Sequence, residues 1–400
     1  MIFVRTTGTI ARGIRTPIIK EGDNLVEIVV ESLLSAQKEN DFEFNDKGVI
    51  AITESVLARS QGNYITVDDI ACEIKEKFSG KDGIGIVFPI LSRNRFSMIL
   101  KGIARAGFDI YMQLSYPRDE VGNPLFDPAK IRELNINPYN DVLTEEDYLK
   151  NFGDYKHPYT GINYLKLYKE IVQSESNASI EFILANDPAV ILNYTREIIT
   201  ADIHTRAETK AILENNDTKV LGLDEICNQP VDNRGYNIDY GLLGSNKATG
   251  ERLKLFPRDA KEFVNKIQQR IHKETGVQVE VMVYGDGAYK DPTGKIWELA
   301  DPVVSPGYTD GLKGTPNEVK LKYLADNDLK ELAGEELLDA MKDEIGGKDN
   351  DLIGDIRAQG TTPRQLTDLL GSLSDLISGS GDKGTPVVLI QGYFDNLASN

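Results

Sequence analysis

The sequence predicts an α+β protein, with mixed, largely antiparallel sheets and helices packed outside them. Three observations carry this reading. Val277, Val279, Val281 and Val283 alternate with Gln278, Glu280, Met282 and Tyr284, the period-2 signature of a strand with one well-buried face. Just upstream, Phe263, Val264, Ile267 and Ile271 recur at the spacing of an amphipathic helix that delivers the chain into that strand. Strand-like and helix-like stretches then alternate along all 400 residues with no internal repeat.

Taken in order, residues 2–19 read as a short strand and a turn, where Pro17 fixes the backbone and Gly22-Asp23 redirects it. Asp23 or Asn24 can cap the helix whose apolar face is Leu25, Val26, Ile28, Val29, Leu33 and Leu34. Val49–Ile52 form a buried strand, which sets Glu54, Ser55 and Arg59 at its end. Asp68 and Asp69 suit the first turn of a helix reaching Phe78. GIGIVFPI is strand-like, RNRFSMILKGIARAG is a basic amphipathic helix and FDIYMQLSYP is a strand. Helices are expected at 144–151 and 162–173, with His157 in a loop as a locally hydrogen-bonded side chain. SIEFILAND reads as a strand, and Asp187-Pro188 as the start of one long helix through AVILNYTREIITADIHTRAETKAIL. Asp259 is the expected cap of the helix that carries Phe263, Val264, Ile267 and Ile271. Acidic helical sequence fills 317–346, PRQLTDLLGSLSDLI is a further helix, and SGSGDKGTPVVLIQGYF is a small-residue loop before a last strand.

Composition narrows the function classes. The 40% hydrophobic and 27% charged residues are those of an ordinary globular protein. With 63 acidic residues against 45 basic ones, an extended nucleic-acid footprint is not expected. Cys72 and Cys227 form no CxxC pair, and three histidines are too few for a His-rich metal site. No run of 18 apolar residues occurs and the start lacks an apolar h-region, so the expectation is a cytoplasmic protein without membrane contact.

Motifs narrow them further. GxxxxGK[ST], GxGxxG after a strand, and GxSxG are all missing, which argues against P-loop hydrolysis, a dinucleotide fold and a nucleophile elbow. What remains are strand ends bearing small, acidic or amide residues: Glu54 and Ser55, Ser245 and Asn246, Asp286 and Gly287, and Ser380 to Lys383. Such groups suit nucleotide phosphates held by backbone N–H donors, a cationic side chain and a carboxylate-bound Mg or Mn ion. For Asp286 the alternative is a plain Asp-Gly turn.

Four blocks resemble the coenzyme F420 gamma-glutamyl ligase family, in that family's order and over roughly a third of the chain. They are TPIIKEGDNLVEIVVESL with AITESVLARSQG, GSNKATGERLKLFPRDAKEFVNKIQQRI, VEVMVYGDGAYKDPTGKIW, and SGSGDKGTPVVLIQG. The resemblance implies a ligase-family core at 1–104 and 236–400 with an inserted α/β lobe at 105–235. It implies transfer of the γ-phosphate of GTP to an acceptor carboxylate, then displacement of phosphate by the amine of L-glutamate. Implied nucleotide contacts are Thr16, Pro17, Ile18, Ile19, Glu54, Ser55, Arg59, Ser245 and Asn246, with Ser378, Gly379, Gly381, Lys383 and Thr385 in the last loop. Implied metal positions are Asp286, and Gly287 through its backbone.

This chain departs from the family's pattern in three ways. Leu243 stands where a metal-binding Asp is expected, with Asp239 the nearest replacement. Ser380 stands where a metal-contacting Gln is expected, and Gly287 where Thr is usual. The acceptor is implied to be a small carboxylate-bearing cofactor, of deazaflavin or folate-like type, and the assembly a homodimer. A non-catalytic nucleotide-binding or assembly protein that kept the fold is the alternative.

Overall fold

A computed structural model describes residues 6–285, 288–291, 296–299, 304–359, 364–378 and 382–399. The chain opens with β1 (Ile10–Ile14), α1 (Leu25–Asn40), β2 (Val49–Thr53) and α2 (Glu54–Ser60). It continues through β3 (Tyr64–Thr66), α3 (Val67–Lys77), β4 (Ile84–Val87), α4 (Phe96–Arg105), β5 (Ile110–Leu114) and α5 (Lys130–Glu133). Next come β6 (Leu143–Thr144), α6 (Glu145–Phe152), α7 (Tyr164–Glu175), β7 (Ile180–Leu184), β8 (Glu197–Thr200), α8 (Arg206–Leu213) and β9 (Lys219–Gly222). β10 (Asn246–Lys247), β11 (Arg252–Lys254), α9 (Ala260–Thr275) and β12 (Glu280–Gly285) follow. The last elements are the paired β13 (Ala288–Asp291) and β14 (Ile296–Leu299), then β15 (Val304–Tyr308), α10 (Leu321–Asp326), α11 (Gly334–Gly346), α12 (Leu366–Ser378) and β16 (Val387–Gln391). The α+β class holds. No described helix is long and apolar enough to cross a membrane.

The chain divides into two compact units. The first joins Met1–Ser60, Asp259–Ala288 and Leu299–Asn400; the second is Gln61–Arg258 with Tyr289–Glu298. The first unit is built on a five-stranded sheet in the order β1-β16-β2-β12-β15, antiparallel throughout except for β2 beside β12. One face carries Ile50, Ile52, Val281 and Val283 against α1 and α9. The other carries Val49, Ala51, Met282 and Tyr284 against α12. Both faces of β12 are therefore covered from Met282 onward, where the alternation predicts only one, because α12 packs on the second face. α1 starts as expected, with Asn24 accepting the Glu27 N–H. α9 does not, since Asp259 adopts φ 52° and makes no side-chain cap.

The second unit holds a six-stranded sheet in the order β6-β7-β5-β4-β8-β9, parallel except for β6. β3, β10 and β11 form a separate antiparallel sheet. This unit begins at Gln61, and β4 is one of its two central strands. The long helix expected from Asp187 is instead a 3-10 turn, Pro188–Asn193, then β8 and α8. Ile198, Ile199 and Thr200 are β-branched and buried between β4 and β9, so the pleated sheet wins over the helical reading. His157 is buried, its Nδ1 facing the Tyr159 and Thr160 N–H groups and its Nε2 near Asn123 Oδ1, as a locally bonded histidine.

Asp119 ties the loops after β4 and β5 together. Its carboxylate accepts from Leu91 N at 2.9 Å, Val121 N at 3.1 Å, Asn123 N at 2.8 Å and Asn123 Nδ2 at 2.8 Å. Burial nonetheless pushes the carboxyl up to about 6, from an ordinary value of 3.8. A raised carboxyl binds its proton more tightly when folded. Its contribution is thus complete below pH 3.8 and is lost as pH rises through about 6, a change of about 3 kcal/mol. Urea unfolding of wild type and Asp119→Asn across pH 3.5 to 7.5 checks this. The stability difference between them should shift against wild type by about that amount, and a pH-independent difference refutes the assignment.

Candidate active site

Strand directions gather one edge of the five-stranded sheet. β1, β2 and β12 run the same way, and β15 and β16 run against them. The carboxyl ends of three strands and the amino ends of two therefore lie side by side. Thr16 N donates to the Gly384 carbonyl at 3.3 Å and Thr53 N to the Pro386 carbonyl at 3.0 Å, so the turn after β1, the end of β2 and the loop before β16 meet. A Cβ on Gly13 would sit 3.2 Å from the Thr385 side chain, so the missing side chain permits this approach.

Of the residues expected at a nucleotide site, Thr16, Pro17, Glu54, Ser378, Lys383 and Thr385 lie at this edge, with Ile18 and Ile19 following Pro17 in the chain and Ser55 and Arg59 following Glu54 in α2. Their side chains differ in availability. Ile19 is packed in the core whereas Ile18 is 83% exposed. Ser55 and Arg59 are exposed, but Glu54 is buried. Glu54 lies directly over Gly285, since a Cβ on that glycine would fall 2.5 Å from Glu54 Cγ. The Glu54 side chain is thereby packed, through its Cγ, on the last residue before Asp286. Tyr284 fixes the neighbouring helix: its hydroxyl donates to the Ser374 carbonyl at 3.4 Å. Burial raises the phenol to about 12, with the Ser378 hydrogen bond opposing and Asp375 adding, so Tyr284 stays a neutral donor. Thr385 Oγ1 donates to the Ser378 carbonyl at 2.9 Å, closing the loop over α12's end.

Asp239, Ser245 and Asn246 belong to the second unit. Asp239 is an exposed turn residue whose N–H donates to Asn237 Oδ1. Ser245 is buried with no described partner for its hydroxyl, and Asn246 opens β10. Leu243 packs against that unit's hydrophobic core. Asp286, Gly287, Gly379, Ser380 and Gly381 lie outside the described residues. Among the described residues no group of three or more His, Cys, Asp or Glu is placed to hold a metal.

The sequence reading missed a cavity of about 900 Å³ alongside β1. Arg12, Arg15, Pro17, Lys383 and Thr385 line it, facing the polar side of α1. Two arginines flanking buried Ile14 in ARGIR were the available signal, a strand edge with cations directed off the sheet.

A family model described as F420-0:Gamma-glutamyl ligase matches residues 13–392. No curated protein matches the chain.

The packing of Glu54 on Gly285 is tested by a double-mutant cycle. Gly285→Ala should cost about 1–3 kcal/mol in urea unfolding through overpacking, and less than about 0.5 kcal/mol in a Glu54→Ala background. Equal costs in both backgrounds would show that the two residues do not touch.

Proposed function

This chain belongs to the F420-0:gamma-glutamyl ligase family, and on that premise we propose that it is a GTP- and Mg- or Mn-dependent ligase joining L-glutamate to a small carboxylate-bearing cofactor. The family supports the glutamate-ligase role. The observation that carries the finer reading is the convergence of the turn after β1, the Glu54 end of β2, and Lys383 and Thr385 at one sheet edge.

In the proposed reaction an acceptor carboxylate oxygen attacks the γ-phosphorus of GTP, the bond to the β-phosphate oxygen breaks, and GDP leaves. The free amine of glutamate then attacks the acyl carbon, inorganic phosphate departs, and the nitrogen gives up a proton to leave an amide. Positioning and charge neutralisation do most of this work. Glu54, buried over Gly285, offers the hard oxygen that Mg or Mn takes, and Asp286 is the proposed second carboxylate. A bound ion would offset the charge of the nucleotide phosphates. Thr16 to Ile19 and Thr385 would hold the nucleotide, while Lys383 and Arg59 supply cationic partners. A homodimer, a deazaflavin or folate-like acceptor and a reducing compartment, in keeping with free Cys72 and Cys227, complete the reading.

One observation favours the non-catalytic alternative. Leu243 is packed among apolar side chains where the family carries a metal-binding Asp, and its nearest replacement, Asp239, is an exposed turn residue. Phosphate release separates the two readings. With GTP, Mn, L-glutamate and a deazaflavin acceptor, the chain should release phosphate in step with amide formation. Asp286→Asn should lower that rate by on the order of 100-fold or more and remove the thermal stabilisation by Mn-GTP without changing the unliganded Tm. Nucleotide binding with no turnover for any acceptor would favour the assembly protein; unchanged binding in Asp286→Asn would remove that residue from the site.

A further inference from the structure

The cavity beside β1 carries charges of both signs. Arg12 and Arg15 come from β1 and its end, and Lys383 from the loop before β16. Glu31 and Glu39 face them from α1, with Ser35 between. Positions 31, 35 and 39 are four residues apart and share one helix face, so a single helix presents two carboxylates and a hydroxyl to the strand. Among the described residues none of the five charged groups is ion-paired. Opposite charges held across a cavity without meeting leave both sets free for a ligand.

Arg12 is set in place before any ligand arrives. Its guanidinium lies 4.6 Å from the Phe42 ring centroid, and one nitrogen donates to Gln391 Oε1 at 2.9 Å. The Gln391 amide is itself oriented, because its Nε2 donates to the Glu43 carbonyl at 2.7 Å. A guanidinium has five N–H donors in a fixed fork, and the described protein partner occupies one. The rest suit a carboxylate.

Which ligand fits follows from the charges. Three cations against two carboxylates leave one surplus positive charge, in a chain of formal net charge −18. A triphosphate would meet Glu31 and Glu39 as like charges, which is costly at a recognition surface. A monocation would meet three like charges. An amino acid with two carboxylates and one ammonium carries one net negative charge and complements both walls. Pro17, Lys383 and Thr385, residues proposed for nucleotide, are among its lining, so its occupant lies next to the phosphoryl-transfer site.

We propose that this cavity is the binding subsite for the amino-acid substrate, a dicarboxylic amino acid such as L-glutamate. Arg12 and Arg15 take its carboxylates, and one of Glu31 and Glu39 takes its ammonium. The assignment rests on the ligase reading and adds to it the place of the incoming amine and the reason a zwitterion is selected. The side chain of Arg15 is exposed, so its removal leaves the core intact.

The test is isothermal titration of the full-length chain, loaded with Mn-GTP, with L-glutamate and with glutarate, which lacks the amine. Wild type should bind glutamate at least about 10-fold more tightly than glutarate, and Arg15→Ala should weaken glutamate by about 10-fold or more, the loss expected for one charge-assisted contact. The Glu31→Gln, Glu39→Gln double variant should erase the preference for glutamate over glutarate. In all variants the thermal shift given by Mn-GTP should stay at its wild-type size. If Mn-GTP binds normally and neither variant changes glutamate affinity or the glutarate preference, the subsite is elsewhere and the ligase reading survives. If wild type takes up neither nucleotide nor glutamate, both readings fall.

Discussion

The parallel pairing of β2 with β12 is the constraint on which the first unit depends. The register sets Val49 beside Glu280 and Thr53 beside Tyr284, so strands from opposite halves of the chain end together. Parallel neighbours need a crossover, and α9 supplies its helix, packed on the sheet through Phe263, Val264, Ile267 and Ile271. Helices on both faces make the pair a continuous apolar run, with Val49, Ile50, Ala51 and Ile52 fully buried. One consequence is chemical. The end of β2 turns a glutamate inward, and only a glycine at the end of β12 leaves room for it. Neither residue means much alone, and their adjacency follows from register.

Local patterns were legible where the signal was local. The alternation at β12, the helical stripe of α9 and the apolar face of α1 each fall within one window, and each is where the sequence indicates. What needed distant partners was not legible. Met282 and Tyr284 read as the open face of a strand because their cover, α12, begins only at Leu366, beyond a loop-rich stretch. β8 read as helix because a four-residue strand with three buried residues, inside a long mixed segment, has no periodicity of its own. For the candidate site, the residue types at strand ends were readable and the sheet edge that joins Thr16, Glu54 and Thr385 was not. The cavity was hidden more completely, since Glu31 and Glu39 look like an ordinary solvated helix face until β1 lies opposite.

In the second unit the fold and the site chemistry part company. From β4 the chain steps outward to β5 and β7, then returns to the other side of β4 for β8 and β9. The order thus reverses at β4 and β8, the arrangement in which open parallel sheets hold ligands at their carboxyl ends. Yet the loop after β4 is FPILSRNR, with no glycine to let a pyrophosphate approach the backbone. Phe88 takes φ 53° there, and the loop is fixed at Leu91 by the buried Asp119. The architecture of a nucleotide sheet is present without its phosphate turn, so the nucleotide reading must rest on the first unit.

The second unit closes on its own ends. Gln61 Nε2 donates to the Arg258 carbonyl at 2.7 Å, and Arg258 N donates to Gln61 Oε1 at 2.8 Å, so the first and last residues of the main segment are joined reciprocally. Arg258 also donates to Asn63 Oδ1 at 2.6 Å, and the fully buried Asn63 amide donates to the Tyr236 and Phe256 carbonyls. A segment whose termini meet can occupy a connection without stretching it, and added length then costs only slowly growing closure entropy. The crossover from β2 to β12 is left to be set by α9, as it would be with a short loop. That is why a large α/β lobe can stand between two strands whose register must hold to a single residue, for a slip of one would turn Glu54's neighbour from Gly285 to a side chain it cannot pack against.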